Sequence, residues 1–257
     1  MNTVLVRRPG GRLAEGLVSF GERREVDTAL ASRQWAAYVD VFAAQGWRVV
    51  EVAPADDCPD AVFVEDPVVV FGKTAVLARS GAPRRRPETD GVEAALAAFG
   101  GFEVRRIEAP GTLDGGDVLK VGPTVYVGRG GRTDDEGIRQ LAAHLPAATV
   151  VPVPTTRVLH LKSAVTALPD GTVVGHPPLV DDPAVFDRFL AVPEEAGAHV
   201  VLLGGDRVLM AASAPETAAL FRAMGLATVV VDISEFEKLE GCVTCLSVRL
   251  RENAARP

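Results

Sequence analysis

Residues 62–71 read VFVEDPVVVF, followed by a Gly72-Lys73 turn and a second apolar run, TAVLA (74–78). A polar loop (Arg79 to Arg86), a helical stretch ETDGVEAALAAF (88–99) and the strand-like FEVRRI (102–107) complete the unit. The same order returns at LDGGDVLKV (113–121), Gly122-Pro123, TVYVG (124–128), the helical TDDEGIRQLAAHL (133–145) and ATVVPV (148–153). It returns again at LHLKSAVTAL (159–168), Pro169-Asp170-Gly171, TVVGH (172–176), a helical DPAVFDRFLA (182–191) and HVVLL (199–203). Next come Gly204-Gly205-Asp206, RVLMAA (207–212), the helical APETAALFRAMG (214–225) and ATVVVD (227–232). A last strand, Cys245 to Leu250, has no partner at the C-terminal end. The opening strand TVLVRR (3–8), a long helix from Glu25 to Gln45 and the strand WRVVEV (47–52) can complete a fifth unit with it.

A repeat that cannot bury its own face must stack on its neighbours, and joining last to first removes open sheet edges. Five ββαβ-type units at intervals of roughly 45 residues therefore predict a closed α/β ring with pseudo-fivefold symmetry. A doubly wound α/β sheet is the alternative, since it also alternates strand and helix. Two strands round a tight turn in each unit favour the ring. In the first helix Ala29, Trp35, Tyr38, Val39, Phe42 and Ala43 share one stripe, as packing outside a sheet requires.

The 257 residues are 47% hydrophobic, 24% charged and 5% aromatic, enough for one large domain or two small ones with a sizeable core, and with no low-complexity linker a single domain over 1–257 is expected. No apolar run approaches the about 18 residues of a membrane span. The arginines follow the first apolar run rather than preceding it, so no secretory signal is expected. A net charge of -7 argues against nucleic acid as partner and suits a small cation. Three cysteines make no disulfide framework, and a reducing cytoplasm is the expected location.

The positions that open the repeats are chemically unusual: Glu65-Asp66, Asp114-Gly115-Gly116-Asp117, His160 and Cys245. In a ring, equivalent strand ends converge on one mouth. A thiol, an imidazole and carboxylates would meet there, a set used in covalent catalysis. Each residue also has a plainer reading. Cys245 suits a buried core position, His160 a satisfied strand histidine, and Asp-Gly-Gly a tight turn. Cys242 and Cys245 form a CxxC, but no second pair completes a four-ligand zinc site, and LSVRL does not open a thioredoxin-like helix. Asp60, Glu65 and Asp66 interrupt an apolar run in PDAVFVEDPVVV (59–70), where unpaired carboxylates are costly and a bound cation would relieve them.

Six stretches in order, FVEDPVVV, RSGAPRRRPE, LDGGDVL, GRGGRT, LHLKS and KLEGCVTCLSV, resemble the guanidine-modifying enzymes of the pentein superfamily, and most closely the dimethylarginine dimethylaminohydrolase family. The resemblance implies a five-bladed αβ propeller. It also implies hydrolysis of Nω-methylated arginines to citrulline and a methylamine through a covalent S-alkylthiouronium. Carried over position by position, Cys245 matches the nucleophile, His160 the general acid/base and Asp114 its orienting group. Asp60, Glu65 and Asp66 match the substrate-binding acids. Arg85, within a run of three arginines, and Arg132 match the α-carboxylate clamps. Leu17 matches a lid residue, and Leu239 and Glu240 positions whose backbone meets the amino-acid end. Lys162 stands where arginine deiminases and amidinotransferases have an Asp, which favours methylated over plain arginine. Pro67 and Cys242 are smaller departures.

The resemblance implies no cofactor and no resident metal, although zinc on the thiol and imidazole would inhibit. A homodimer is among the assemblies it allows. Two other readings stay open: an arginine deiminase-like or other small-guanidine hydrolase, and a non-catalytic pentein that binds a partner.

Overall fold

The computed structural model describes residues 1–251, which form five three-stranded sheets. The first is built by β1 (Thr3–Val6), helix α1 (Thr28–Ala44) and β2 (Arg48–Glu51). The second holds β3 (Val68–Phe71), β4 (Thr74–Leu77), α2 (Glu88–Phe99) and β5 (Glu103–Arg106). The third holds β6 (Val118–Val121), β7 (Thr124–Arg129), α3 (Asp135–His144) and β8 (Thr149–Pro154). β9 (Val165–Ala167), β10 (Val173–Gly175) and β11 (Phe189–Ala191) make the fourth. The fifth has β12 (Val201–Gly204), β13 (Arg207–Ala211), α4 (Pro215–Ala223) and β14 (Ala227–Val231). The chain then passes through the short helix α5 (Ser234–Glu237) to β15 (Val248–Leu250), which lies antiparallel on β1 with Leu5 opposite Val248. In every sheet the middle strand has one antiparallel and one parallel neighbour.

The alternation of strand side chains explains how a ring forms. Val4 and Val6 pack toward the fifth sheet with Val201, Leu203 and Leu209, whereas Leu5 packs toward the second with Val68, Ala75 and Leu77. Val125 and Val127 face the second sheet, and Tyr126 faces the fourth. Val173 faces the third and Val174 the fifth. Each sheet is thus buried on both faces by period-2 side chains, and five apolar clusters fill the five junctions. Arg7 adds a polar clamp. Its buried guanidinium donates to the carbonyls of Ala53 (3.0 Å), Ala61 (3.2 Å) and Glu88 (2.8 Å), tying β1 to the segment before β3.

Four expectations are corrected. The stretch 182–191 is not a helix but a 3-10 turn, Pro183–Val185, followed by β11. Pro183 would suit the first turn of a helix, but Phe186 packs edge-on against Tyr126 at 5.0 Å and Phe189 to Ala191 pair in parallel with Val173 to Gly175. HVVLL consequently opens the fifth sheet instead of closing the fourth, with Val201 opposite Leu209. Only Val68–Phe71 of the run 62–71 is strand, and His160 precedes the turn Leu161–Ser163 rather than lying in a strand. The acids and the imidazole therefore sit in turns, which leaves their side chains free of sheet geometry.

Leu5 is fully buried at the closing junction. Leu5→Ala should lower unfolding stability by about 2–5 kcal/mol, as large-to-small core changes do. Val104→Ala, on a side chain 38% exposed, should stay within about 0.5 kcal/mol. Urea denaturation followed by circular dichroism checks both.

Candidate active site

The turn before each sheet's first strand is hydrogen-bonded to the next. The Glu65 amide donates to the Cys245 carbonyl (3.1 Å), and the Gly115 amide to the Asp66 carbonyl (2.8 Å). The Leu161 amide donates to Asp117 Oδ1 (2.9 Å), and His199 Nε2 to the Ser163 carbonyl (2.8 Å). Cys242 Sγ lies 3.9 Å from the Lys162 carbonyl across the centre. Residues far apart in sequence are thereby gathered at one end of the ring.

His160 is 3% exposed, with Nε2 3.1 Å from Asp114 Oδ2 and Nδ1 3.8 Å from Asp66 Oδ1. Burial opposes its charge, but Asp66, Asp117 and Asp114 together raise its pKa to about 9. Asp114 is fully buried; desolvation is outweighed by the His160 hydrogen bond and charge, and its pKa falls to about 2. The same carboxylate accepts Arg132 Nη1 at 3.3 Å and the Gly81 amide at 3.3 Å. His160 is therefore an imidazolium at neutral pH, able to give a proton.

The two glycines of LDGGD are there for close approach. A Cβ on Gly115 would lie 2.2 Å from the Glu65 carbonyl oxygen. One on Gly116 would lie 2.5 Å from His160 Nδ1 and 2.7 Å from Asp66 Oδ1. The Gly116 amide also donates to Asp66 Oδ1 at 2.9 Å. Asp117, which the sequence reading left without a role, positions two neighbours. It accepts the Leu161 amide and, at 2.6 Å, the Thr133 hydroxyl beside Arg132. Burial pushes its pKa up to about 6. Two acids bracketing a Gly-Gly were the signal that pointed to it.

The acids are not waiting for an external cation, contrary to expectation. Glu65 is held by Lys162 Nζ (2.6 Å), Arg249 Nη2 (3.1 Å) and the Thr244 hydroxyl (2.8 Å). Asp66 is paired with Arg85 Nη1 at 2.5 Å. Asp60 accepts the Leu17 amide (2.8 Å) and Arg84 Nη2 (3.3 Å). Arg85 is corrected most clearly. It is buried, and its guanidinium is spent on Asp66, on both oxygens of Glu88 and on the carbonyls of Asp60 and Phe63. It holds the acids in place and has no open face for a ligand carboxylate. Its neighbour Arg86 is half-buried and anchored through Nε to the Ser80 carbonyl (3.1 Å), with no Nη contact among the described residues.

Cys245 and Cys242 lie in one turn, closed by the Cys245 amide donating to the Cys242 carbonyl at 3.1 Å. Their sulfurs are 3.3 Å apart. The hydrogen bond with Cys242, then burial and the charges of Cys242, Glu65 and Asp66, hold the Cys245 pKa well above the ordinary thiol value. Cys242 contributes more than the carboxylates. Leu17 is half-buried, and Leu239 is buried beside the position of Gly16. Glu240 takes a left-handed φ of 60°, and its carboxylate accepts the amides of Ser19 (2.9 Å), Phe20 (2.5 Å) and Gly21 (2.6 Å). Its side chain therefore anchors the loop that carries Leu17.

Residues 45–235 match the arginine deiminase family. Over 250 residues, 96% of each chain, the protein is 66% identical to the dimethylarginine dimethylaminohydrolase of Streptomyces coelicolor. It belongs to the dimethylarginine dimethylaminohydrolase family. The Pseudomonas aeruginosa member with citrulline bound superposes with a TM-score of 0.90 at 33% identity, covering 96% of this chain and 98% of that one. The N-terminal domain of a cyanobacterial arginine dihydrolase shares the fold, with a TM-score of 0.88 at 20% identity over 98% of this chain and 99% of that one. The closed ring of five units read from the repeats, which the resemblance gave as a five-bladed pentein fold, is the observed one.

Gly116→Ala should cut kcat by on the order of a hundredfold, since displacing a catalytic group by about 1 Å has that effect. The fold should survive by circular dichroism. With His160 as the expected general acid, kcat/KM should fall as pH rises through about 9. Asp114→Asn removes a charge that raises this pKa, so a pH–rate profile should show the alkaline limb moved to lower pH.

Proposed function

We propose that the protein hydrolyses Nω-methylated arginines to citrulline and a methylamine. The observation that carries this reading is the Lys162–Glu65 pair at 2.6 Å, two residues beyond His160. An acid at 162, as the resemblance gives arginine-processing enzymes, would accept the terminal N–H of a plain guanidinium. A lysine accepts nothing and holds Glu65 on one side, so that end of the site suits methyl groups.

In the proposed reaction Cys245 Sγ attacks the central guanidinium carbon. A delocalised guanidinium is a weak electrophile, so it must be held near attack distance, about 3–3.5 Å. The incoming cation lowers the raised Cys245 pKa, and the substrate thereby helps to ionise its own nucleophile. His160, oriented by Asp114 and Asp117, protonates the departing methylamine. A planar S-alkylthiouronium remains on Cys245. The neutral imidazole then takes a proton from water, which releases citrulline and restores the thiol. Asp60, Glu65 and Asp66 supply the negative field around the guanidinium. Arg132, through donors not used on Asp114, and Arg86, in place of Arg85, grip the α-carboxylate. Leu17, Leu239 and Glu240 close the amino-acid end.

A substrate panel with citrulline readout tests the reading. Dimethylarginine should exceed arginine at least about tenfold in kcat/KM, about 1.4 kcal/mol per decade. Cys245→Ser should be inactive, and quenched His160→Gly enzyme should carry the adduct on Cys245. Equal turnover of arginine, or an adduct on Cys242 or Cys58, would defeat it.

A further inference from the structure

The proposed reaction uses one sulfur, yet a second lies 3.3 Å from it. Cys242 is 4% exposed, and its Sγ also meets the Thr244 hydroxyl at 3.3 Å. It lines a cavity of about 700 Å³ bounded by His199, Glu240 and the loop residues Val18 and Phe20. Cys245 is not among the residues lining that cavity. Cys58 stands apart, with its sulfur 3.5 Å from the Arg84 carbonyl. Forming a disulfide requires an S–S distance of about 2.05 Å, so the two sulfurs need close by little more than an ångström within a single turn.

We propose that Cys242 and Cys245 are an oxidisable dithiol, a modification site that reduces a hydroperoxide and stores the nucleophile as an intramolecular disulfide. The sulfur of Cys242, the cysteine that lines the cavity, attacks the peroxide oxygen. The O–O bond breaks, Cys242 becomes a sulfenic acid, and the peroxide leaves as hydroxide or alkoxide. Cys245 then attacks the sulfenic sulfur. An S–S bond forms, the S–O bond breaks, and the thiol proton leaves with the hydroxyl as water. Two thiols lose two electrons and the peroxide gains them, so no other reactant is needed. A small dithiol reverses the step by exchange.

The electrostatics favour this order. The hydrogen bond from Cys245, helped by His199 and Thr244 against burial, lowers the Cys242 pKa to about 5, while that of Cys245 is raised. The one proton between them resides on Cys245. Cys242 is then the thiolate, the form that peroxides oxidise. Trapping the sulfenic acid as a disulfide keeps both sulfurs from irreversible over-oxidation.

The test treats full-length protein with hydrogen peroxide and follows intact mass, thiol alkylation and citrulline formation. Wild type should lose the mass of two hydrogens, keep Cys58 alone alkylatable, lose activity and regain its starting rate with dithiothreitol. In Cys242→Ser the peroxide should add oxygen to Cys245 with no loss of two hydrogens, and once a second oxygen has added dithiothreitol should not restore that variant's own starting rate. Peptide mapping of the wild-type protein gives the same answer without the variant. Oxygen gain instead of hydrogen loss in wild type, a bridge through Cys58, or loss of two hydrogens by Cys242→Ser would overturn the proposal. The mass readout does not depend on activity. A Cys242–Cys245 bridge in fully active enzyme would support the dithiol and refute Cys245 as nucleophile.

Discussion

Antiparallel pairing of Val248–Leu250 with Thr3–Val6 closes the ring, and everything chemical in the molecule depends on that closure. Without it β1 loses its antiparallel partner, and the apolar junctions on either side of Val4, Leu5 and Val6 lose Val248, Leu250 and the turn before them. Closure also brings the Cys245 turn against the Glu65 turn, through the amide of Glu65 and the carbonyl of Cys245. The last chemically loaded turn of the chain is thus set beside the first. A hydrophobic requirement, that no sheet be left with a bare face, assembles a polar site at one end of the ring.

The site then has to accommodate charges that burial penalises. It does so internally: Arg85 spans Asp66 and Glu88, Lys162 and Arg249 share Glu65, and Arg132 and His160 share Asp114. The acids find cationic partners without a ligand, while three carboxylates raise the His160 pKa and the Cys245 pKa is held up. Such a resting state sets a charged imidazole and an un-ionised thiol at the same mouth. The Cys242 thiolate is the exception, a reactive sulfur beside a protected one.

Glu240 joins this mouth to the loop above it. Its carboxylate meets three consecutive backbone amides, Ser19 to Gly21, while the Leu17 amide is taken by Asp60. The loop is therefore tied at both ends to residues expected to meet substrate, and ligand contacts at Asp60 bear directly on where Leu17 lies.

Period-2 apolar runs, Gly and Pro-Asp-Gly turns and their fivefold return were enough to read the ring from the sequence, because sheet burial on both faces depends on local alternation. LDGGD, LHLKS and the terminal Cys245 were equally legible as chemistry, since acids, an imidazole and a thiol beside apolar strands need a reason to be there. The absence of a helix at 182–191 was hidden, because Phe186, Phe189 and Leu190 have helical spacing and only packing against Tyr126 selects the extended form. The partners of the acids were hidden too. Nothing local distinguishes Arg84, Arg85 and Arg86, yet burial sends the middle one inward to Asp66 and leaves its neighbours nearer solvent. Asp117, Arg249 and the contact between the Cys242 and Cys245 sulfurs belong to the same class. The residue types that open each blade are set along the chain. Which charges pair is set by the fold, because those pairs join turns distant in sequence that meet when the ring closes.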